Sequence, residues 1–402
     1  MSKAGLPFES ESIPASRGLV AVGTFLALAL GSGLAVVASS SDNAPLDSRR
    51  LAFVYLTALM FLTSIGVGAL AWVMLHHISG AVWSVAVRRL LECLSRGLPW
   101  LAVFYLPVAL NLPRIYLWAD PARVAADPGL ARKAAWLNPV AFNARAFVYL
   151  GSWALLSGLL ARASARQDRG DPSASRSMKT ISIRGLIVLG VTTSLAAFDW
   201  MMSLDPHWSS TIFGVYFWAG SLLAGLAALA LMALALNFAG WLRSIITVDH
   251  RHDLGKLLFG FVIFWAYIAF CQYFLIWYAN LPEETQWYIT RRSGVWNTVS
   301  WSLLFGQFAA PFCLLLPRAT KRSPFWLGFV AAWILVFHYV DFYWLIMPAL
   351  GQERFQPQWT DAAVAVCVVS LGAAIVAGAC IRRPLIPIGD PLLADSLAYR
   401  NP

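Results

Sequence analysis

Ten times along its 402 residues the sequence runs on with scarcely a charge for about 20 to 25 residues, the length that crosses a bilayer's hydrocarbon core as a helix. That repetition excludes most other folds. In lipid every backbone N–H and C=O needs an internal partner, which a helix supplies within one segment. Only 12% of the residues are charged and 59% are apolar, with a mean hydropathy of +0.64, whereas a soluble chain carries about a quarter charged residues. The expected fold class is therefore all-α integral membrane, one membrane domain over 1–402. The net charge of +10 is expected in basic loops facing anionic lipid, not on a nucleic acid.

The apolar runs fall at 18–40, 51–75, 84–110, 139–160, 181–203, 211–242, 253–279, 296–317, 325–347 and 360–380. Ten spans put both termini on one side. That side holds twenty cations: Lys3, Arg17, Arg88, Arg89, Arg96, Arg162, Arg166, Arg169, Arg176, Lys179, Arg184, Arg243, Arg251, Lys256, Arg318, Lys321, Arg322, Arg382, Arg383 and Arg400. The other side holds ten: Arg49, Arg50, Arg114, Arg123, Arg132, Lys133, Arg145, Arg291, Arg292 and Arg354. The positive-inside bias predicts cytoplasmic termini. Residues 161–180, rich in Arg, Ser, Asp and Gly, are expected to form a flexible cytoplasmic loop. The first 17 residues lack a basic region leading into a short apolar core, so no cleaved signal peptide is expected and 18–40 stays a helix.

Cys93, Cys271, Cys313, Cys367 and Cys380 are widely spaced, with neither CxxC nor CxxCH. Iron–sulfur, structural-zinc and attached c-haem sites lack their ligand spacing, and the thiols read as buried small hydrophobes. A bis-His haem needs ligands on facing helices, and only His338 lies near mid-membrane. Asp249-His250-Arg251-His252-Asp253 alternates His and Asp within reach of one ion, but Arg251 among the ligands favours a solvated loop. No metal site is expected. No phosphate-binding glycine loop or nucleophile elbow occurs, and Gly66 and Gly68 read as close-packing positions. Trp200, Trp208, Trp277, Tyr278, Trp287 and Trp344 fall at helix ends and are expected to anchor at the interface.

An ionisable group inside a span is expensive, so each one invites an explanation. Asp199 lies near the extracytoplasmic end of the fifth span, with Asp205 and His207 following where that helix stops at Pro206. His338 and Asp341 on the ninth span are spaced i, i+3 and share a face. If the fifth and ninth helices turn these faces towards each other or towards a shared cavity, two carboxylates and an imidazole form a hydrated proton relay opening outwards. The alternatives are that His338 and Asp341 hydrogen-bond neighbouring helices as glue, and that Asp205 caps the turn before the sixth helix. On the cytoplasmic half, His76 and His77 end the second span, and Arg88, Glu92 and Arg96 form an i, i+4, i+8 series. The series reads as a surface salt ladder, or as a proton uptake point with Glu92 and His76 leading inward past Tyr267 and Gln272.

The stretches FDWMMSLDPHWSSTIFGVYFWAG (198–220) and DLGKLLFGFVIFWAYIAFCQYFLIWYANLPEETQWYITR (253–291) resemble the second NrfD-like membrane subunit of bacterial alternative complex III, of the polysulfide-reductase NrfD family. The resemblance is strongest over 181–348. It implies two four-helix bundles, 51–203 and 211–347, with 18–40 and 360–380 as peripheral helices. It further implies a subunit of a quinol:electron-acceptor oxidoreductase in the bacterial inner membrane, with a homologous quinol-site subunit, an iron–sulfur subunit, c-type cytochromes and small membrane subunits as partners. Iron–sulfur clusters and c-haems would sit on those partners, leaving this chain without a redox centre, and a quinone in this chain stays open. By position, Asp199, Asp205, His207, His338 and Asp341 would supply a proton path. Two other classes compete. A secondary transporter would need inverted repeats with broken helices, for which Pro99, Pro107, Pro113 and Pro311 supply breaks without a matching pair; a structural anchor would dock other subunits and move no protons.

Overall fold

The computed structural model describes residues 12–39, 47–351, 357–381 and 383–401. Lys3, Arg354 and Arg382 of the charge count, and residues 1–11 of the leader argument, lie outside them. Ten helices are long and apolar enough to cross a membrane, making this a multi-pass all-α protein. They are α1 (Ala15–Ala38), α2 (Ser48–Ser79), α3 (Val85–Leu110), α4 (Pro139–Asp168), α5 (Ala174–Trp200), α6 (Phe213–Phe238), α7 (Val248–Ala279), α8 (Gly294–Leu315), α9 (Pro324–Ile346) and α10 (Trp359–Cys380). Among the described residues no strand occurs; the β pairing is confined to bridges joining Ser12 to Pro384 and Ile13 to Ile381. We call the face bearing those bridges the basic face.

Local chemistry explains the boundaries. Asp47 accepts from the backbone N–H groups of Arg49 and Arg50 at the start of α2, at 2.9 and 3.2 Å, and α2 ends where Gly80 takes φ +64. Asn138 caps α4 ahead of Pro139, Ser323 caps α9 ahead of Pro324, and α7 begins on a reciprocal Thr247–His250 capping box. The stretch 249–253 is therefore not a loop. It begins a membrane helix, with His250, His252 and Asp253 buried and Asp249 and Arg251 half-buried.

Three spans depart from the expected form. The loop expected over 161–180 is only 169–173, because α4 runs on to Asp168 and α5 starts at Ala174. Arg89 holds Asp168, and Arg88 holds Gln167 at 2.8 Å, so side-chain contacts extend a helix that composition would have ended. Within α3, a buried helix Val85–Ser95 passes through a 3-10 turn at Leu98–Trp100, which contains Pro99, into Leu101–Leu110. In α8 the segment Leu304–Ala309 is a π-helix just before Pro311, whose missing N–H removes the regular hydrogen bond there.

α2 and α6 cross at the centre, where small residues allow backbone contact. A Cβ added to Gly68 would fall on the Ser221 carbonyl, and one on Gly225 would meet the backbone of Gly68 and Ala69. Around this crossing α2 packs on α3 and α5, with α4 on α5, while α6 packs on α7 and α9, with α8 beside them. α1 lies almost wholly against α10, which in turn rests on α2. A bidentate ion pair ties α10 to the start of α2: Arg50 Nε and Nη2 donate to the Asp361 carboxylate at 3.0 and 2.6 Å, and the Tyr343 hydroxyl donates to it at 2.7 Å.

Candidate functional site

The structure sorts the polar residues of the spans into three groups. The first surrounds Asp199, which is 1% exposed near the face opposite the basic one. Arg145 of α4 donates to both carboxylate oxygens at 2.7 and 2.9 Å, the Tyr149 hydroxyl at 2.7 Å and the Trp136 indole at 3.0 Å. Arg145 also stacks on Trp136 at 4.0 Å. Asp199 is thus a fully engaged ion-pair partner. It shares no hydrogen-bond partner with Asp341, which the Tyr216 hydroxyl of α6 contacts instead. His207, exposed, pairs at 2.9 Å with Asp127 in the segment before α4. Burial would raise the Asp127 carboxyl, but the backbone N–H groups of Gly129 and Leu130, together with His207, hold it below the usual carboxylate range.

The second group is built on α9. His338 and Asp341 are each 1% exposed and turn one face toward α2 and α6. The Tyr216 hydroxyl donates to Asp341 at 2.5 Å. His338 Nε2 lies 2.9 Å from the Ser64 hydroxyl of α2, whose own hydrogen is taken by the Phe61 carbonyl at 2.7 Å. Ser64 therefore accepts from Nε2–H, and Nδ1, facing Gly220 of α6, is left buried without a partner. Neither His338 nor Asp341 forms an ion pair among the described residues.

Toward the opposite face this group continues into Arg291, which sequence reasoning had counted only as a loop cation. The side chain is buried. It donates to the backbone carbonyls of Trp344, Trp287 and Leu345 at 3.2, 3.0 and 2.8 Å and stacks on Trp287 at 3.4 Å. Burial pushes this guanidinium down to about 9, against the pull of Tyr288, Asp205 and Tyr216. Asp205 therefore lies in electrostatic reach of Arg291, and its backbone carbonyl opens the turn before α6 by accepting from the Trp208 N–H at 3.1 Å. Gln272 of α7 is buried and donates to the Tyr288 hydroxyl at 3.3 Å. Trp208 stacks on Trp287 at 4.5 Å and Trp344 meets it edge-on at 5.3 Å. Trp200, Trp208, Trp287 and Trp344 are thus core residues and not lipid anchors; Trp277 and Tyr278 are exposed.

The third group lies at the basic face. Glu92 is gripped by Arg88 at 3.3 Å, Arg89 at 2.9 Å and the Ser164 hydroxyl at 2.9 Å, while Asp390 and Asp168 complete the two arginines. The expected surface ladder is in fact a buried ionic cluster, and its second arginine is Arg89 instead of Arg96. Beside it a cleft of about 350 Å³ is lined by His76, His77, Arg88, Arg176, Lys179 and Asp390, among others. Both His76 nitrogens are buried without a hydrogen-bond partner. Tyr267 is excluded from any inner route: it is 61% exposed on the outer side of α7. Cys313 is likewise exposed, against the expectation of burial.

The signal for Arg145 was available, since it is a cation inside the apolar run 139–160. Tyr216, Ser64 and Arg291 had no such signal, because nothing in their own segments says which helix they face. Among the described residues no three His, Cys, Asp or Glu side chains gather as a metal site. Compared with models of known protein families and with curated proteins, the chain matches none.

Proposed function

We propose that this chain is a proton-handling membrane subunit, without a redox centre of its own, of a quinol:electron-acceptor oxidoreductase in the bacterial inner membrane, with the basic face cytoplasmic. The resemblance of 198–220 and 253–291 to the NrfD-like subunits supplies the setting and the partners: a homologous quinol-site subunit, an iron–sulfur subunit and c-type cytochromes. One observation supports the proton role. Asp341 and His338 stand side by side on α9, buried, with exchangeable hydrogens and no ion pair to break when a proton arrives or leaves.

Asp341 would exchange its proton through Tyr216 and the Tyr288–Gln272 pair toward the opposite face. His338 extends the set inward to Ser64. On the basic face, His76 and His77 at the cleft are the matching uptake groups. Ser64 and His76 are twelve residues apart on α2, about 18 Å at 1.5 Å per residue, so the two sets are half-paths that water must join for protons to cross.

A structural anchor is the second reading, favoured by the Asp199 and Glu92 clusters, whose acids are wholly engaged in holding helices together. Asp341→Asn in the assembled complex separates the two. The expected result is normal assembly with coupled proton uptake lost. Unchanged uptake and turnover in intact complex would leave only the anchor.

A further inference from the structure

Between the α1–α10 pair and the central helices runs an apolar groove of about 820 Å³, a volume typical of a ligand site. Its walls come from α1, α2, α3, α6, α9 and α10 and are smoothed by small residues such as Gly66, Ala228 and Ala373. The groove is not closed off by protein, and α1 is its thin outer wall.

The polar chemistry of this groove is concentrated at its basic-face end. Arg17 lines it there and lies 5.7 Å from the ring of Trp241, another lining residue. Arg96 sits between lining residues Leu94 and Gly97, and Arg383 follows lining residue Cys380 by three positions. Arg96 and Arg383 are close enough to repel each other. None of the three arginines makes an ion pair with a described residue. Neighbouring cations in the same part of the fold behave differently: Arg88 and Arg89 are both matched by carboxylates. A positive collar whose arginines form no ion pair, with Glu92 the acid in electrostatic reach of Arg96 but itself held by Arg88 and Arg89, complements at the headgroup level of an apolar groove a molecule with one anionic head and long apolar chains.

We propose that the groove is a binding site for one anionic phospholipid, its phosphate held by Arg17, Arg96 and Arg383 and an acyl chain lying between α1, α10 and the central helices. A quinone fits the apolar part equally well but not the collar, because a neutral ring with two carbonyls gains little from three cations. Zwitterionic lipid fits the groove but leaves the excess positive charge unanswered.

Native mass spectrometry of the purified chain in mild detergent, titrated with phosphatidylglycerol or phosphatidylcholine, tests this. The expected result is one tightly retained phosphatidylglycerol, with phosphatidylcholine held far more weakly. The variant R17Q/R96Q/R383Q is expected to weaken phosphatidylglycerol binding about a hundredfold, since each cation near a membrane surface contributes an effect of about fivefold. Ala373→Trp, which fills the groove and leaves the arginines, is expected to abolish retention; a melting curve without added lipid shows that each variant is folded. Equal affinity for the two lipids, a bound quinone in place of lipid, or full retention in the triple variant would overturn the proposal.

Discussion

At Asp199 one guanidinium, one phenol and one indole saturate the carboxylate, so an amide there would leave Arg145 without its counter-charge. Breaking such a buried pair costs about 3 kcal/mol, the low end of the usual range because Arg145 keeps 17% of its side chain exposed. Asp199→Asn is accordingly expected to lower the thermal midpoint in detergent by several degrees. Asp341→Asn is expected to leave it nearly unchanged, since Tyr216 finds an acceptor in the amide oxygen and no cation is orphaned. A larger loss at Asp341 than at Asp199 would reverse the assignment of structural and proton-handling roles. In sequence the two aspartates looked alike, each the one acid of its apolar run and near the same face. What separates them is the helix opposite: α4 presents an arginine and α6 a tyrosine, and helix facing is not encoded in either aspartate's own segment. At Asp127 the sign of a pH effect follows from the structure. A carboxyl held below its unfolded value adds stability above about pH 4 and loses it as pH falls through the folded value. The contact joining 127–133 to His207 is expected to loosen in acid, seen as faster proteolysis between α3 and α4. Asp127→Ala should be cleaved at that faster rate at neutral pH too.

The helices themselves were legible because membrane length is written as an uninterrupted apolar run, and each expected run overlaps one of the ten observed helices. Their extensions were not legible where charged residues are paired inside the protein. The last turns of α4 carry Arg166, Gln167 and Asp168 and read as loop until Arg88 and Arg89 of α3 are placed against them. The same holds for Val85–Ser95, a helix with three charged residues and all eleven positions buried. Composition penalises each charge separately, whereas the fold buries them as a set. The α2–α6 crossing makes the sharper test of how elements are joined. Gly68 and Gly225 bring two backbones into contact, so Gly68→Val has no room on either side. Overpacking of this kind typically costs about 1–3 kcal/mol, and because here the obstacle is backbone the upper end is expected. The thermal midpoint should fall, whereas Gly151→Val, at a position with open space around the Cβ, should be tolerated. Equal stability of the two variants would mean that α2 and α6 are not held at this distance.

Across the whole molecule, the positive-inside argument keeps its direction once buried charges are set aside. Insertion responds to cations that meet the lipid headgroups, not to those enclosed by protein. On the face opposite the bridges, Arg50, Arg145 and Arg291 are engaged with Asp361, Asp199 and backbone carbonyls, leaving Arg114, Arg123, Arg132, Lys133 and Arg292 exposed. On the basic face, Arg162, Arg169, Arg176, Lys179, Arg184, Arg243 and Arg318 are exposed. The contrast in available charge therefore runs in the same direction as the count of twenty to ten. With the basic face cytoplasmic, as proposed, the His76–His77 cleft would face the cytoplasm and Arg291 with Asp205 the outside. Two exposed positions read this directly: Ser173 in the turn between α4 and α5, and Gln286 in the short helix Pro282–Arg291. In right-side-out vesicles a membrane-impermeant maleimide is expected to label Gln286→Cys at once and Ser173→Cys only after the membrane is opened. The reverse pattern would invert the molecule, and proton uptake would then have to begin at Asp205 and Arg291.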